Sequence, residues 1–336
     1  MPTRDRTTGD YRELLLLAAA RHSGALDALV TTTGTPEGVA AETGVSERAA
    51  ALVVTALADR GFLREVGGEY QPTNRLLGFV TKTDVRSIGR LPHALDVLDD
   101  WVALPETMRT GHPPDRGEHW LRNEMGAGAA RDDTAVRAAV TAAVRERPAA
   151  ASVLVLADPA GRHAVEFAER GFDVTLLDTP ERTAVNRKSL EHERVRLVAG
   201  DPLVDLPSVD AAPVDLVFAT GVLHRHDEAA VRRLFENARA AVAGTGEDEC
   251  GTDRAREGNA DGRANGGGGV AVVVDAVRGE TPDASLVALE ALASGGTGAC
   301  HDAAALTGWL ADAGFAGSVE AVPGLADRAV VGRAID

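Results

Sequence analysis

The sequence predicts an α/β fold: an open parallel sheet with helices on both faces, preceded by a mostly helical region with one hairpin. Three observations carry this. Residues 151–181 read as strand, turn, helix and strand. Short apolar runs then return at 195–198, 215–219 and 270–274, too brief for helices and continuous enough for strands buried on both faces. Finally, residues 36–72 read as helix, turn, helix and two short strands.

In chain order, Tyr11 to His22 gives a first helix and Ala25 to Leu29 a short second one. Pro36-Glu37 opens a third carrying Val39, Ala40 and Ala41, Gly44 makes the turn, and Ser46 caps a longer helix through Arg60. This is a helix-turn-helix, and Gly61 to Arg64, Gly67-Gly68 and Tyr70 to Pro72 form the wing of a winged helix. A DNA reader needs cations on the second helix, but there Arg48 and Arg60 face Glu47 and Asp59 among alanine, leucine and valine. Such an apolar helix suits a core or a dimer partner better than a groove.

Residues 132–147 form a further helix, with Val136, Val140 and Val144 at four-residue spacing, and Pro148 ends it. Val153 to Leu156 is the first strand of the sheet, and Asp158-Pro159-Ala160-Gly161 breaks it. A helix follows until Gly171, and Val174 to Leu177 is the second strand, ending on Asp178. An acid at the tip of the second strand of a βαβ unit is placed to accept from both hydroxyls of a ribose. The turn has one glycine and a proline without an N–H, so it does not suit a pyrophosphate. A ligand with ribose and no phosphate is favoured.

The third strand, Val195 to Val198, leads to Gly200-Asp201-Pro202. The fourth, Asp215 to Ala219, delivers Thr220-Gly221-Val222-Leu223-His224 at its carboxyl end, where open α/β sheets bind ligands. A helix runs from Ala229 to Ala243. Residues 244–269 are glycine, aspartate, glutamate and asparagine with almost nothing apolar, and read as a flexible surface insertion. Val270 to Val274 resumes the sheet and ends at Asp275; a helix from Asp302 to Ala313 and strands at 318–322 and 329–334 close the chain.

The 336 residues carry 51 acidic against 35 basic side chains, a net charge of −16, and the only lysines are Lys82 and Lys188. A dense carboxylate surface suits high salt, as in a halophile, or an acidic protein of a GC-rich genome, and does not suggest a nucleic-acid surface. Cys250 and Cys300 show neither metal-ligand spacing nor a disulfide framework, so no metal is expected and a reducing cytoplasm is the natural setting. The apolar run Leu14 to Ala20 is too short for a membrane span.

The stretch from Ala151 to Glu181 resembles the first motifs of class I S-adenosylmethionine-dependent methyltransferases. Their glycine-rich loop falls on Val155 to Gly161, with Ala157 and Pro159 in place of two glycines and Asp158 as the only acid. Thr179-Pro180-Glu181 is similar to the Leu-Pro-Glu that follows the ribose-binding acid in small-molecule O-methyltransferases of the caffeate and polyketide type, and residues 25–73 resemble their dimerisation domain. The resemblance implies a homodimer with a dimerisation domain at 1–125, a linker helix at 126–150 and a catalytic domain at 151–336. It implies S-adenosyl-L-methionine as cofactor, held by Ala157, Asp158, Gly161, Asp178, Thr179, Asp201, Pro202, Thr220 and Gly221. It further implies a small aromatic or isoprenoid-like acceptor against Trp120 and Met125, and O-methylation with His224 as general base and Asp275 as its orienter. A second orienting acid of the family would fall near Gly298 and is absent.

Each role has a plainer alternative. Asp201 serves equally as a turn cap, and His224 as a packing residue of the crevice. A ligand-binding relative without transferase activity, a winged-helix regulator, and transfer to nitrogen or carbon also fit the sequence.

Overall fold

The computed structural model describes residues 11–80, 84–203, 213–243 and 268–335. Lys82, Cys250 and nearly all of the acidic glycine-rich segment at 244–269 lie outside the described residues. The chain forms two compact units, Met1–Asp132 and Asp133–Asp336.

The first unit is helical. Helices α1 (Tyr11–His22), α2 (Ala25–Thr31), α3 (Pro36–Thr43) and α4 (Glu47–Asp59) precede a hairpin of β1 (Leu63–Val66) and β2 (Glu69–Pro72). Thr35 caps α3 through Gly38 N–H, and Ser46 caps α4 through Ala49 N–H at 3.2 Å. Gly44 makes the turn between them at φ 73°, a conformation that favours glycine. The inner face of α4, Ala50, Val54 and Leu57, joins Leu17, Leu26, Val39 and Phe62 in one core. After the short α5 (Leu77–Val80) come α6 (Leu91–Thr110) and α7 (Trp120–Ala129), which pack on each other.

The second unit opens with α8 (Asp133–Glu146), which packs on the sheet of its own unit. There follow β3 (Ser152–Leu156), α9 (Arg162–Glu169), β4 (Asp173–Asp178), α10 (Pro180–Ser189), β5 (Val195–Ala199), β6 (Leu216–Thr220), α11 (Glu228–Ala243) and β7 (Val270–Asp275). The chain closes with α12 (Ala284–Ala293), α13 (Ala303–Asp312), β8 (Phe315–Ala321) and β9 (Arg328–Ala334). The sheet order is β5-β4-β3-β6-β7-β9-β8, with the first five strands parallel and β9 and β8 antiparallel. The terminal hairpin starts earlier than the sequence suggests, at Phe315, because that ring is wholly buried and begins the strand.

Alternation along β3 shows why its apolar run is unbroken. Val153 and Val155 face the core made with α8 and α9, including Phe167 and Phe218, whose rings meet edge-on at 5.1 Å. Leu154 and Leu156 face the opposite core with α11 and α13. Each such side chain contributes roughly 1.5–3 kcal/mol by burial. No single helix among the described residues is long and apolar enough to cross a membrane.

Candidate active site

The strand order reverses between β3 and β6, and the crevice at a reversal lies off the carboxyl ends of the strands. Five such ends supply the candidate residues.

Beyond β3 the chain enters a left-handed turn. Ala157 has φ 49°, and its N–H still donates to Leu177 O at 2.9 Å; Ala160 and Gly161 have φ 63° and 65°. An alanine in this region is disfavoured by about 1 kcal/mol, so the turn needs a clamp. Asp158 supplies one. Its side chain is buried, with Oδ2 accepting from the N–H groups of His163 at 2.7 Å and Ala164 at 3.1 Å. Its Oδ1 accepts from His163 Nδ1 at 2.9 Å, and its carbonyl accepts from Gly161 N–H at 2.9 Å. Two hydrogen bonds from the first turn of α9 to a charged acceptor contribute about 1.5–3 kcal/mol each, enough to offset the strain. The sequence marked Asp158 and did not mark His163, since a five-residue separation across a turn carries no periodic signal. A Cβ at Gly161 would lie 2.6 Å from Leu190 Cδ1, so a larger residue there would have to displace that side chain and adopt an unfavourable φ of 65°.

At the end of β4, Asp178 is buried and its Oδ1 accepts from Thr179 N–H at 2.9 Å. Thr179 caps α10 through Arg182 N–H, with Pro180 in the first turn. Beyond β5, Asp201 is exposed and its Oδ1 accepts from Leu203 N–H at 2.9 Å, the turn-capping geometry. Pro202 beside it is buried, and its carbonyl accepts from Asn237 Nδ2 at 3.0 Å.

The ends of β6 and β7 are tied together. Thr220 is half-buried, and Gly221, at φ 65°, donates its N–H to Val274 O at 3.0 Å. One tight turn, Leu223–Arg225, then carries His224. Asp275 is wholly buried at the tip of β7. Its Oδ1 accepts from His224 Nδ1 at 2.6 Å and from Ala276 N–H at 2.7 Å, and its Oδ2 accepts from Leu223 N–H at 2.7 Å. A proton held on Nδ1 leaves Nε2 as the acceptor nitrogen of a neutral ring.

This turn has a second clamp that the sequence did not mark. The N–H groups of Thr297 and Gly298 donate to Arg225 O at 3.0 and 3.2 Å, and His301 Nε2 lies 3.1 Å from His226 O. His226 itself is half-buried; desolvation and the Arg225 guanidinium hold its pKa below the ordinary histidine value. Trp120 and Met125 lie on α7 in the first unit: Met125 is wholly buried, while the Trp120 ring lies 3.6 Å from Arg116 Cζ and edge-on to His93. Among the described residues no group of three or more histidine, cysteine, aspartate or glutamate side chains is placed to hold a metal ion.

Asp178 closes β4 with a buried carboxylate at the strand tip, and the turns that follow β3 and β6 carry nothing larger than a methyl group at Ala157, Ala160, Gly161 and Gly221.

No protein-family model and no curated protein sequence matches the chain. Solved structures do. PigF with SAH (S-adenosylhomocysteine) is similar over 96% of this chain and 96% of its own, at a TM-score of 0.66 and 18% identity. Human N-acetylserotonin methyltransferase in complex with SAM (S-adenosylmethionine) is similar over 97% and 95%, at 0.62 and 18%. NcsB1, an O-methyltransferase from neocarzinostatin biosynthesis in complex with S-adenosylmethionine and 2-hydroxy-5-methyl naphthoic acid, is similar over 98% of both chains, at 0.55 and 17%. The fold is that of the class I methyltransferases. The likeness spans both units, so the helical first unit shares it as well.

Proposed function

We propose that this protein is an S-adenosylmethionine-dependent O-methyltransferase acting on a small-molecule hydroxyl, with His224 as general base and Asp275 as its orienter. The observation that carries the reading is the 2.6 Å contact between His224 Nδ1 and a carboxylate wholly buried at the mouth of the crevice. The fold it shares with structures solved with SAM or SAH supports the cofactor. Asp178 would accept from the ribose hydroxyls, and Ala157, Gly161, Thr220 and Gly221 would line the approach. Asp158 acts from behind the turn, Thr179 and Pro202 frame the strand ends, and Asp201 would stand beside the adenine of the cofactor.

When bound, S-adenosylmethionine supplies an electrophilic methyl group. The residues of this chain supply the proton chemistry. Asp275 keeps the proton of His224 on Nδ1, so Nε2 can take the proton of an acceptor hydroxyl as its oxygen becomes a nucleophile. The imidazolium so formed is stabilised by the same carboxylate.

Trp120 and Met125 are proposed to contact the acceptor. A homodimer formed through the first unit is supported by its outward apolar side chains, Tyr11, Leu15, Val102 and Met108, all at least half exposed. Helix α4 shows Arg48, Ala51 and Leu52 to solvent, a poor surface for DNA phosphates, so the winged-helix order is read as a dimerisation element. A second reading, a ligand-binding protein without transferase activity, is favoured by Ala157 and Pro159 standing where the family resemblance expects glycines, with Ala157 held left-handed at φ 49°.

Calorimetric titration with S-adenosylmethionine and S-adenosylhomocysteine separates the readings when followed by turnover on a panel of phenolic and hydroxyquinone acceptors. Micromolar binding lost in Asp178→Ala, with turnover lost in His224→Ala while binding persists, is the expected result. Binding without turnover on any acceptor favours the second reading, and no binding at millimolar ligand overturns the enzyme reading.

A further inference from the structure

We propose that the buried Asp158–His163 pair is a positioning element, setting the left-handed turn at 157–161 in place of the glycines that such turns ordinarily use. The proposal rests on the reading of that turn as part of the cofactor site. Neither residue faces solvent: both are 2% exposed. Asp158 grips the turn twice, by its carbonyl to Gly161 N–H and by its carboxylate to the first turn of α9. His163 grips Asp158 in return, and its ring lies 5.5 Å from that of Phe218 in the middle of the sheet. The direction in which the chain leaves β3 is therefore fixed from the core outward, through Phe218, His163 and Asp158 to Ala160.

Chemistry limits what can stand at 163. Asp158 Oδ1 accepts there, so the residue must offer a donor at the place of Nδ1. An asparagine can bring its amide nitrogen close to that point, whereas an alanine removes the donor and also a ring from the packing. Loss of the donor lets the turn sample right-handed backbone, which is easier for Ala157 and Ala160. The ligand then has to order the turn as it binds, so affinity falls while the proton transfer at His224 is untouched.

The test compares wild type, His163→Ala and His163→Asn in three readouts: calorimetric affinity for S-adenosylhomocysteine, the KM and kcat of turnover, and amide hydrogen exchange over residues 157–164 without ligand. In His163→Ala the Kd and the KM for S-adenosylmethionine are expected to rise at least tenfold, kcat to stay within threefold, and exchange at Gly161, His163 and Ala164 to speed at least tenfold. His163→Asn is expected to return all of these to within threefold of wild type. Wild-type affinity in His163→Ala, or equal loss in both variants with unchanged exchange, overturns the proposal. Should wild type itself fail to bind S-adenosylhomocysteine, the cofactor reading falls and the exchange arm decides alone: exchange sped in the alanine variant and restored in the asparagine variant supports the pair, and unchanged exchange sinks it. Where His163→Ala does not fold, His163→Gln, whose amide overshoots by one methylene, replaces it with the same expectations.

Discussion

Gly298 stands against His226 so closely that a Cβ at 298 would lie 2.2 Å from the His226 carbonyl oxygen. The absent family acid at this place is thus no simple substitution, because the backbone of His226 occupies the space a side chain needs. Gly298→Glu is expected to lower both stability and turnover, by about 1–3 kcal/mol in stability from overpacking. Thermal unfolding and kcat check it; a gain in kcat would show that the acid can be restored.

Asp215 holds the first residues of β3 to the start of β6. Its Oδ2 accepts from Ala151 N–H, Ser152 N–H and Ser152 Oγ at 2.8, 3.0 and 3.1 Å. Desolvation works against its charge, but these bonds and Arg147 prevail and hold its pKa below the model-peptide value. A depressed carboxylate contributes stability that is complete above its unfolded pKa of about 3.9 and is lost as pH falls through its folded pKa. Asp215→Ala should therefore unfold more easily than wild type at pH 7, by about 1–2 kcal/mol given that the group is one-third exposed. Denaturant titrations at pH 7 and pH 3 should show the difference narrowing in acid.

Asn186 on α10 is wholly buried, and neither its Nδ2 nor its Oδ1 has a hydrogen-bond partner among the described residues. Burying an unmet amide costs about 1–3 kcal/mol. Asn186→Leu, close in volume, is expected to raise the denaturation midpoint by a corresponding amount. An unchanged or lower midpoint would mean that the amide is satisfied in solution.

The Cys300 thiol is buried, and desolvation together with the Asp275 and Asp327 carboxylates pushes its pKa up to about 11. At pH 8 only about one thiol in a thousand is then ionised. In a Cys250→Ala variant, labelling by an aromatic disulfide should be slow at pH 8 and should climb steeply toward pH 10. Labelling in seconds at pH 8 would contradict the burial.

Much of this fold was legible because its signals are local. Ser46, Gly44 and Pro36 announce caps and turns, and the runs at 153–156 and 270–274 are short and continuous enough to read as strands covered on both faces. The pairing of His224 with Asp275 came from the family resemblance, and geometry then placed the two within 2.6 Å. What stayed hidden depends on contacts between distant segments. Nothing in the spelling of residues 295–301 says that they grip the turn after β6, and nothing in Asp158 says that its carboxylate points inward. The boundary of the second unit at Asp133 is of the same kind, since periodicity describes the buried face of α8 and not the surface that receives it.

The inward carboxylate of Asp158 has one more consequence, for selectivity among nucleotides. The start of a helix is electropositive, and dinucleotide-binding folds leave it open for a pyrophosphate. Here α9 carries its own counter-ion, a resident anion already bonded to the two amides that a phosphate would seek. A phosphorylated nucleotide arriving at this helix end would meet like charge, while a nucleoside bearing a cationic sulfonium would not.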